Sequence, residues 1–309
     1  MKNNLSTVYK RELKLQFSSL AGWLFVALNV AALTVSAVWL CLKNNNPSYQ
    51  YVPETSAILL CFTTPLLYAM TVGAEWKRGE TQMILRYASS VTVTLGKYLA
   101  ALTLFAVPAV VCAILPLVMI PFGMTFLISP YMGVVTYALV GVAIIALSFF
   151  IASLIKHPVI GAVVSVAVSL LLNVASNAAK IVGGGQSVPF VLAAVLIVAA
   201  VTVVMLVCLN NAVIPSVFAV LSSVGLMVVA LTGNASAVVR PILTAISPQY
   251  AFYENIYGTF SLRGIVQPLL FAAVFLVFTA LNHANYNKTM TLSVANPGKE
   301  EARKGAESV

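Results

Sequence analysis

The chain has 309 residues, of which 61% are hydrophobic and only 8% charged, with a net charge of +9 and a mean hydropathy of +0.98. A soluble domain carries about 25% charged residues, so this composition excludes a water-soluble fold. The same arithmetic excludes a disordered chain, a collagen and a disulfide scaffold. What remains is an all-α, polytopic transmembrane helix bundle, because only a helix satisfies its own backbone in lipid without closing a barrel.

In chain order, residues 1–19 come first. Leu5, Val8, Tyr9, Leu13, Gln16, Phe17 and Leu20 recur at three- and four-residue steps, with Lys10, Arg11 and Lys14 on other faces. This spacing predicts a basic amphipathic helix in the membrane interface. It serves either as a topology anchor or as an elbow helix that touches a cytoplasmic partner. The membrane domain follows over 20–284, and 285–309 is a polar tail.

An α-helix needs about 20 apolar residues to cross the hydrocarbon core. Eight runs qualify: 20–42, 56–74, 98–122, 131–155, 158–179, 188–209, 212–232 and 265–283. The first is too long for the apolar region of a cleaved signal peptide. Runs three and four are divided by Pro121, Gly123, Ser129 and Pro130. Only Asn210 and Asn211 divide runs six and seven, so these form two crossings or a shallow hairpin, giving eight spans or six plus a hairpin. Either way both termini share one side. With that side inside, all but four of the 17 Lys and Arg residues lie in inner segments; the four are Lys43, Lys180, Arg240 and Arg263. This bias places both termini in the cytoplasm of a multi-pass protein of the cell membrane, and accounts for the +9 without nucleic acid.

The runs hold no Asp, Glu, Lys or Arg, and Glu75, Lys97, Lys156 and His157 sit at their edges. The only histidines, His157 and His283, read as interfacial anchors at the cytoplasmic face. Ion-coupled carriers place an ionisable group within the membrane, so an electrically empty interior disfavours them. The cysteines, Cys41, Cys61, Cys112 and Cys208, have no metal-ligand spacing. No catalytic, cofactor-binding or metal-binding constellation is present. The glycine-rich Gly183–Gly185 lacks the lysine of a phosphate loop. An ATP-driven version of this protein therefore needs separate subunits to bind ATP.

Three segments carry the remaining signals. Inner loop 75–97, EWKRGETQMILRYASSVTVTLGK, places Thr81, Ile84, Leu85 and Ala88 on one helix face. Such a helix lies on the membrane or inserts into a groove on a cytoplasmic protein. In the fifth run Gly161, Ser165, Ser169, Asn173 and Asn177 repeat every four residues. This small and polar stripe packs helices within the subunit, forms a subunit interface or lines a pathway. Asn29, Thr63 and Thr64 are lesser pathway candidates. Outer segment 233–264 contains a predicted helix over 247–258, capped by Ser247 and stopped by Gly258. Its Tyr250, Phe252, Tyr253, Ile256 and Tyr257 suit an aromatic belt.

Four blocks, in order, resemble the membrane subunit of ABC type-2 exporters, in the gliding-motility and nitrous-oxide-maturation-like branch. VYKRELKLQFSSLAGWLF at 8–25 is similar to the family's elbow helix. GAEWKRGETQMILRYASSVTVTLGKYLAA at 73–101 is similar to its E-x-x-x-G-T-x-E-x-L-L block, with Glu80 and Gln82 standing where the pattern has Thr and Glu. ISPYMGVVTYALVGVAIIALSFFIASLIKHPVIGAV at 128–163 and SPQYAFYENIYGTFSLRGIVQPLLFAAVFLVFTAL at 247–281 carry the rest. Runs six and seven are additional to the family's six spans.

The resemblance implies a permease that pairs with a second permease subunit, identical or related, and with two ATP-binding subunits that hold ATP and Mg. Glu75, Lys77, Arg78, Glu80 and Arg86 would surround an apolar insert of Ile84 and Leu85 that couples to the ATPase. Tyr250, Phe252, Tyr253 and Tyr257 would form an outer gate. The expected function is export of an amphipathic or apolar substrate, with no chemistry in this chain. The alternative is a non-transporting membrane scaffold or sensor using the same inner loop.

Overall fold

The computed structural model describes residues 5–43, 49, 51–122, 129–155, 157–181, 195, 198–199, 202, 213–231, 235–255 and 261–295. Among these residues every regular element is helical. Helix α1 (Leu5–Ser18) ends at an elbow. Ser19 leaves the helical region at φ −91°, ψ 144°, and its hydroxyl accepts the Gly22 N–H at 3.1 Å to cap α2 (Leu20–Ala37). A Cβ at Gly22 would lie 2.1 Å from the Gln16 carbonyl oxygen, so only glycine lets the two helices meet this tightly.

A π-helical turn over Val38–Lys43 extends α2, and α3 (Tyr51–Tyr68) returns with Pro53 in its first turn. Pro65 removes one helical donor from α3. A second π-helical turn follows over Ala69–Gly73 and leads into α4 (Ala74–Arg78). Gly79 then stops the helix. At φ 74° it takes the left-handed conformation, and its N–H donates to the Trp76 carbonyl at 3.2 Å. Helix α5 (Glu80–Tyr87) is short and amphipathic.

Ser89 caps α6 (Ser90–Met119) through the Thr92 N–H at 3.2 Å. Next come α7 (Ser129–Leu154) and α8 (Pro158–Ile181), the latter with proline at its first position. Helices α9 (Val213–Leu231), α10 (Ala235–Ile246) and α11 (Ala251–Asn255) precede α12 (Leu262–Ala295), the longest at 34 residues.

Six described helices are long and apolar enough to cross a membrane: Leu20–Lys43, Tyr51–Arg78, Ser90–Phe122, Pro130–Leu154, Pro158–Asn177 and Leu262–Asn287. They match runs one to five and run eight. Run 188–209 lies largely outside the described residues. Run 212–232 contains α9, whose described side chains over 216–225 face outward almost all round. The protein is thus an all-α, multi-pass membrane bundle with six such helices among the described residues.

Helix α7 is the centre of the bundle and packs on α3, α6, α8 and α12. Its Tyr137, Val140, Ile144, Ile145, Ala146 and Phe149 are buried among Tyr68, Leu104 and Phe105. Tyr68 and Phe149 stack at 5.2 Å between ring centres. The outward faces remain apolar, as Trp23, Leu28, Val35, Val110 and Leu270 illustrate. That surface suits a hydrocarbon solvent.

Candidate functional site: a buried charge cluster at one end of the bundle

At one end of the bundle α1, α4, α5, α6 and the last turns of α12 converge. Lys97 of α6 is 1% exposed, and Glu12 of α1 and Glu75 of α4 are each 4% exposed. The Lys97 Nζ donates to Glu75 Oε2 and stands 3.2 Å from Glu12 Oε1. One buried ammonium therefore faces two buried carboxylates. A rim of three charges continues the network. Arg11 lies 3.7 Å from Glu12 and 3.7 Å from Glu80, and Arg78 lies 3.0 Å from Glu80. Burial pushes the Glu12 carboxyl above its ordinary value of 4.5; Lys97 opposes that shift and the negative charge of Glu75 adds to it.

The sequence reading set Glu75 and Lys97 at the edges of an electrically empty interior. The structure keeps both near the ends of their spans, but buries and pairs them. Both residues lie within continuous helices, and α1 folds back to bring Glu12 onto them. Glu12 was legible in principle. It sits between Val8 and Gln16 on the apolar face of α1, where a carboxylate needs a buried partner.

His283 also departs from its expected role as an interfacial anchor. It is fully buried, its Nδ1 is 3.0 Å from the Thr94 hydroxyl, and its ring packs near Trp76 and Phe149. The reason is length: α12 continues past the apolar run to Ala295 and carries His283 along the bundle wall. His157 is exposed in the turn before α8.

The residues expected to couple to an ATPase separate into two groups. Glu75 and Leu85 are buried and serve this chain's own packing; the Asn287 amide donates to the Leu85 carbonyl at 3.3 Å. Lys77 and Arg78 are exposed, while Glu80 and Ile84 are half-buried. The backbone of Arg86 is helical, and its side chain is outside the described set. The apolar side chains turned outward on α5 are Met83, 69% exposed, and Tyr87, 80% exposed. They stand one helical turn apart.

The small-residue stripe on α8 divides as well. Gly161, Ser165 and Ser169 are buried, and the Cys61 thiol of α3 donates to the Ser169 carbonyl at 3.7 Å. This part packs helices within the subunit. Asn173 is half-buried and Asn177 exposed, and the Asn177 amide donates to Asn173 Oδ1 at 3.0 Å. The stripe drifts off the packed face because each four-residue step overshoots the roughly 3.6-residue helical turn. Asn29 bridges the first two spans: its amide donates to Thr63 Oγ1 at 3.0 Å and to the Phe25 carbonyl at 2.7 Å.

At the opposite end, the helix expected over 247–258 is a 3-10 turn, Pro248–Tyr250, followed by α11. Ser247 has cap dihedrals, yet its hydroxyl donates to the Leu172 carbonyl of α8 at 2.8 Å. Tyr250 and Phe252 are buried, Tyr253 is half-buried, and Tyr257 lies outside the described residues. The Asn255 amide donates to Thr136 Oγ1 of α7 at 2.9 Å, and Gln249 donates to the Cys61 sulfur at 3.1 Å. The segment is therefore inserted into the bundle end rather than laid along a flat interface.

No three His, Cys, Asp or Glu side chains among the described residues come together as a metal site. The chain matches no protein-family model and no curated protein.

Proposed function

We propose that this chain is the membrane subunit of an ATP-driven exporter, with both termini in the cytoplasm, paired with a second permease subunit and two separate ATP-binding subunits. The observation that supports this best is the setting of α5. It is a short amphipathic helix between two spans, anchored inward by Leu85 and carrying Met83 and Tyr87 outward beside exposed Lys77 and Arg78. The fold of this chain leaves both apolar groups uncovered, and a groove on a soluble partner would bury both. The charge cluster joins α5 and α4 to α1 and α6, so a push on α5 would move several spans together as a rigid body. The order of the four sequence blocks supports the same reading. An amphipathic or apolar substrate fits a bundle whose buried carboxylates and ammonium, among the described residues, collect at one end.

Affinity purification of the tagged chain from its native membrane tests this. A phosphate-loop ATPase should copurify, and Met83→Glu with Tyr87→Glu should release it while the bundle stays folded. Retention of the ATPase by that variant would overturn the docking surface. A copurifying partner without ATPase activity would favour the scaffold reading instead.

A further inference from the structure

Helices α1 and α6 do not close completely on each other. Between them lies an open groove of about 540 Å³, lined by Leu5, Ser6 and Tyr9 of α1 and by Leu99, Leu102, Thr103 and Ala106 of α6. That volume falls within the roughly 300–1,000 Å³ of small-ligand sites. The Tyr9 hydroxyl and Thr103 Oγ1, at 2.9 Å, satisfy each other in the wall. The rest of the α6 wall is hydrocarbon. Exposed Val110 and Ile114 continue it along α6 at helical spacing, away from the charged end. From Leu99 to Ile114 the track rises about 22 Å, longer than half of the roughly 30 Å hydrocarbon core.

Two lysines of α1 lie beyond the groove's own lining, on the helical stripe that Ser6 begins. Ser6, Lys10 and Lys14 succeed one another at four-residue steps along α1. Both lysines are exposed, and neither stands in an ion pair among the described residues. Arg11, Arg78 and Lys97, by contrast, are all engaged. Two uncommitted ammonium groups thus stand about one and two turns along α1 from Ser6, at the edge of an apolar groove whose hydrocarbon wall runs down a membrane-spanning helix.

We propose that the α1–α6 groove is a binding site for an anionic phospholipid. Ser6, Lys10 and Lys14 hold its phosphate, and one acyl chain lies along Leu99, Leu102 and Ala106. The charge complementarity selects an anionic headgroup, and the hydrocarbon track distinguishes a lipid from a free anion. A lipid seated there would brace α1 against α6 beside the Glu12–Lys97 contact. The site does not depend on the exporter reading.

The test uses the purified full chain in detergent with an equimolar mixture of phosphatidylglycerol and phosphatidylcholine of matched chains, read by native mass spectrometry. Phosphatidylglycerol should be retained in preference. A lysine near a phosphate surface contributes about fivefold, so Lys10→Gln with Lys14→Gln should cut that preference about thirtyfold. Lys43→Gln, at the other end of the bundle, should leave it unchanged. Ala106→Trp should lower retention by filling the chain's path, with Ala106→Leu as the milder variant if the first fails to fold. Equal retention of the two lipids would overturn the proposal, as would an unchanged preference in the double lysine variant. Displacement of the lipid by inorganic phosphate would reduce the site to a free-anion site and overturn it too. So would a shift in oligomeric state on Ala106→Trp with no lipid bound, since the groove would then belong to a second copy.

Discussion

Lys97 of α6 and Glu12 of α1 meet at 3.2 Å although 85 positions separate them in sequence (97 against 12), and neither is more than 4% exposed. The contact does more than join two charges. It fixes the amphipathic α1 against a membrane-spanning helix, and Glu75 on the other side of the same ammonium adds α4. Three segments that are remote in sequence therefore share one cation. A buried charge is tolerated only while it is paired, so each member depends on the others.

Removing the shared cation should be costly. Lys97→Met leaves two carboxylates facing each other out of water. The expected loss of unfolding stability is about 3–5 kcal/mol. Adding Glu12→Gln and Glu75→Gln to Lys97→Met should recover more than half of that loss, because the uncompensated charges are then gone. Denaturant or thermal unfolding of the variants in one lipid environment measures both. An additive, ever-worsening series would show that the three residues do not act as a unit.

The same cluster predicts a pH dependence whose sign follows from Glu12. Burial raises its carboxyl above 4.5 in the folded protein, so the folded state binds the proton more tightly than the unfolded chain. Its contribution to stability is then fully present below about 4.5 and is lost as pH rises toward the folded-state value, levelling off above it. The unfolding midpoint should fall over that window in the parent protein. Glu12→Gln should flatten the slope, and a parallel profile in that variant would assign the dependence to another group.

Much of this fold was readable from sequence for a simple reason. The bilayer demands long apolar runs, and six of them stand where the hydropathy places them. The elbow at Ser19 and the stop at Gly79 follow equally from local chemistry. What sequence periodicity could not reveal was long-range pairing. Glu75 and Lys97 each look like the solvated edge of a neighbouring run until α1 folds back, and the apolar face of α1 shows that Glu12 needs a partner without naming it. His283 looks interfacial because the apolar run stops there, whereas the helix itself does not. Likewise Ile84 and Leu85 look like an exposed insert on the face shared with Thr81. That face is turned inward, with Thr81 at 1% and Leu85 at 2% exposure, leaving Met83 and Tyr87 outside.

Two glycines offer a comparison between backbone cost and steric cost. At Gly79 an added Cβ would meet nothing within 4 Å, so Gly79→Ala bears only the left-handed backbone penalty, about 1–2 kcal/mol. At Gly22 the Cβ would sit 2.1 Å from a backbone carbonyl oxygen. Gly22→Ala should therefore displace the first turn of α2 or open the elbow. A cysteine placed at Gln16, buried in the parent fold, should react with a thiol reagent much faster in Gly22→Ala than in Gly79→Ala. Equal reactivity would mean that the elbow yields without exposing α1.

The polar bridge between the first two spans should, by contrast, be nearly dispensable. The Asn29 amide donates both to Thr63 Oγ1 and to the Phe25 carbonyl of its own helix. Thr63→Val removes the first bond, keeps side-chain volume and leaves the amide with the second. Interhelical hydrogen bonds in membranes average about 0.6 kcal/mol, and the retained bond argues for a cost no larger here. Asn29→Val removes the amide altogether and leaves the Thr63 hydroxyl bonded to its own Leu59 carbonyl at 3.1 Å. A double-mutant cycle on the two positions should return a coupling below about 1 kcal/mol. A much larger coupling would mean that Asn29 and Thr63 do more than hold two helices in register, and would move them from packing to the transport path.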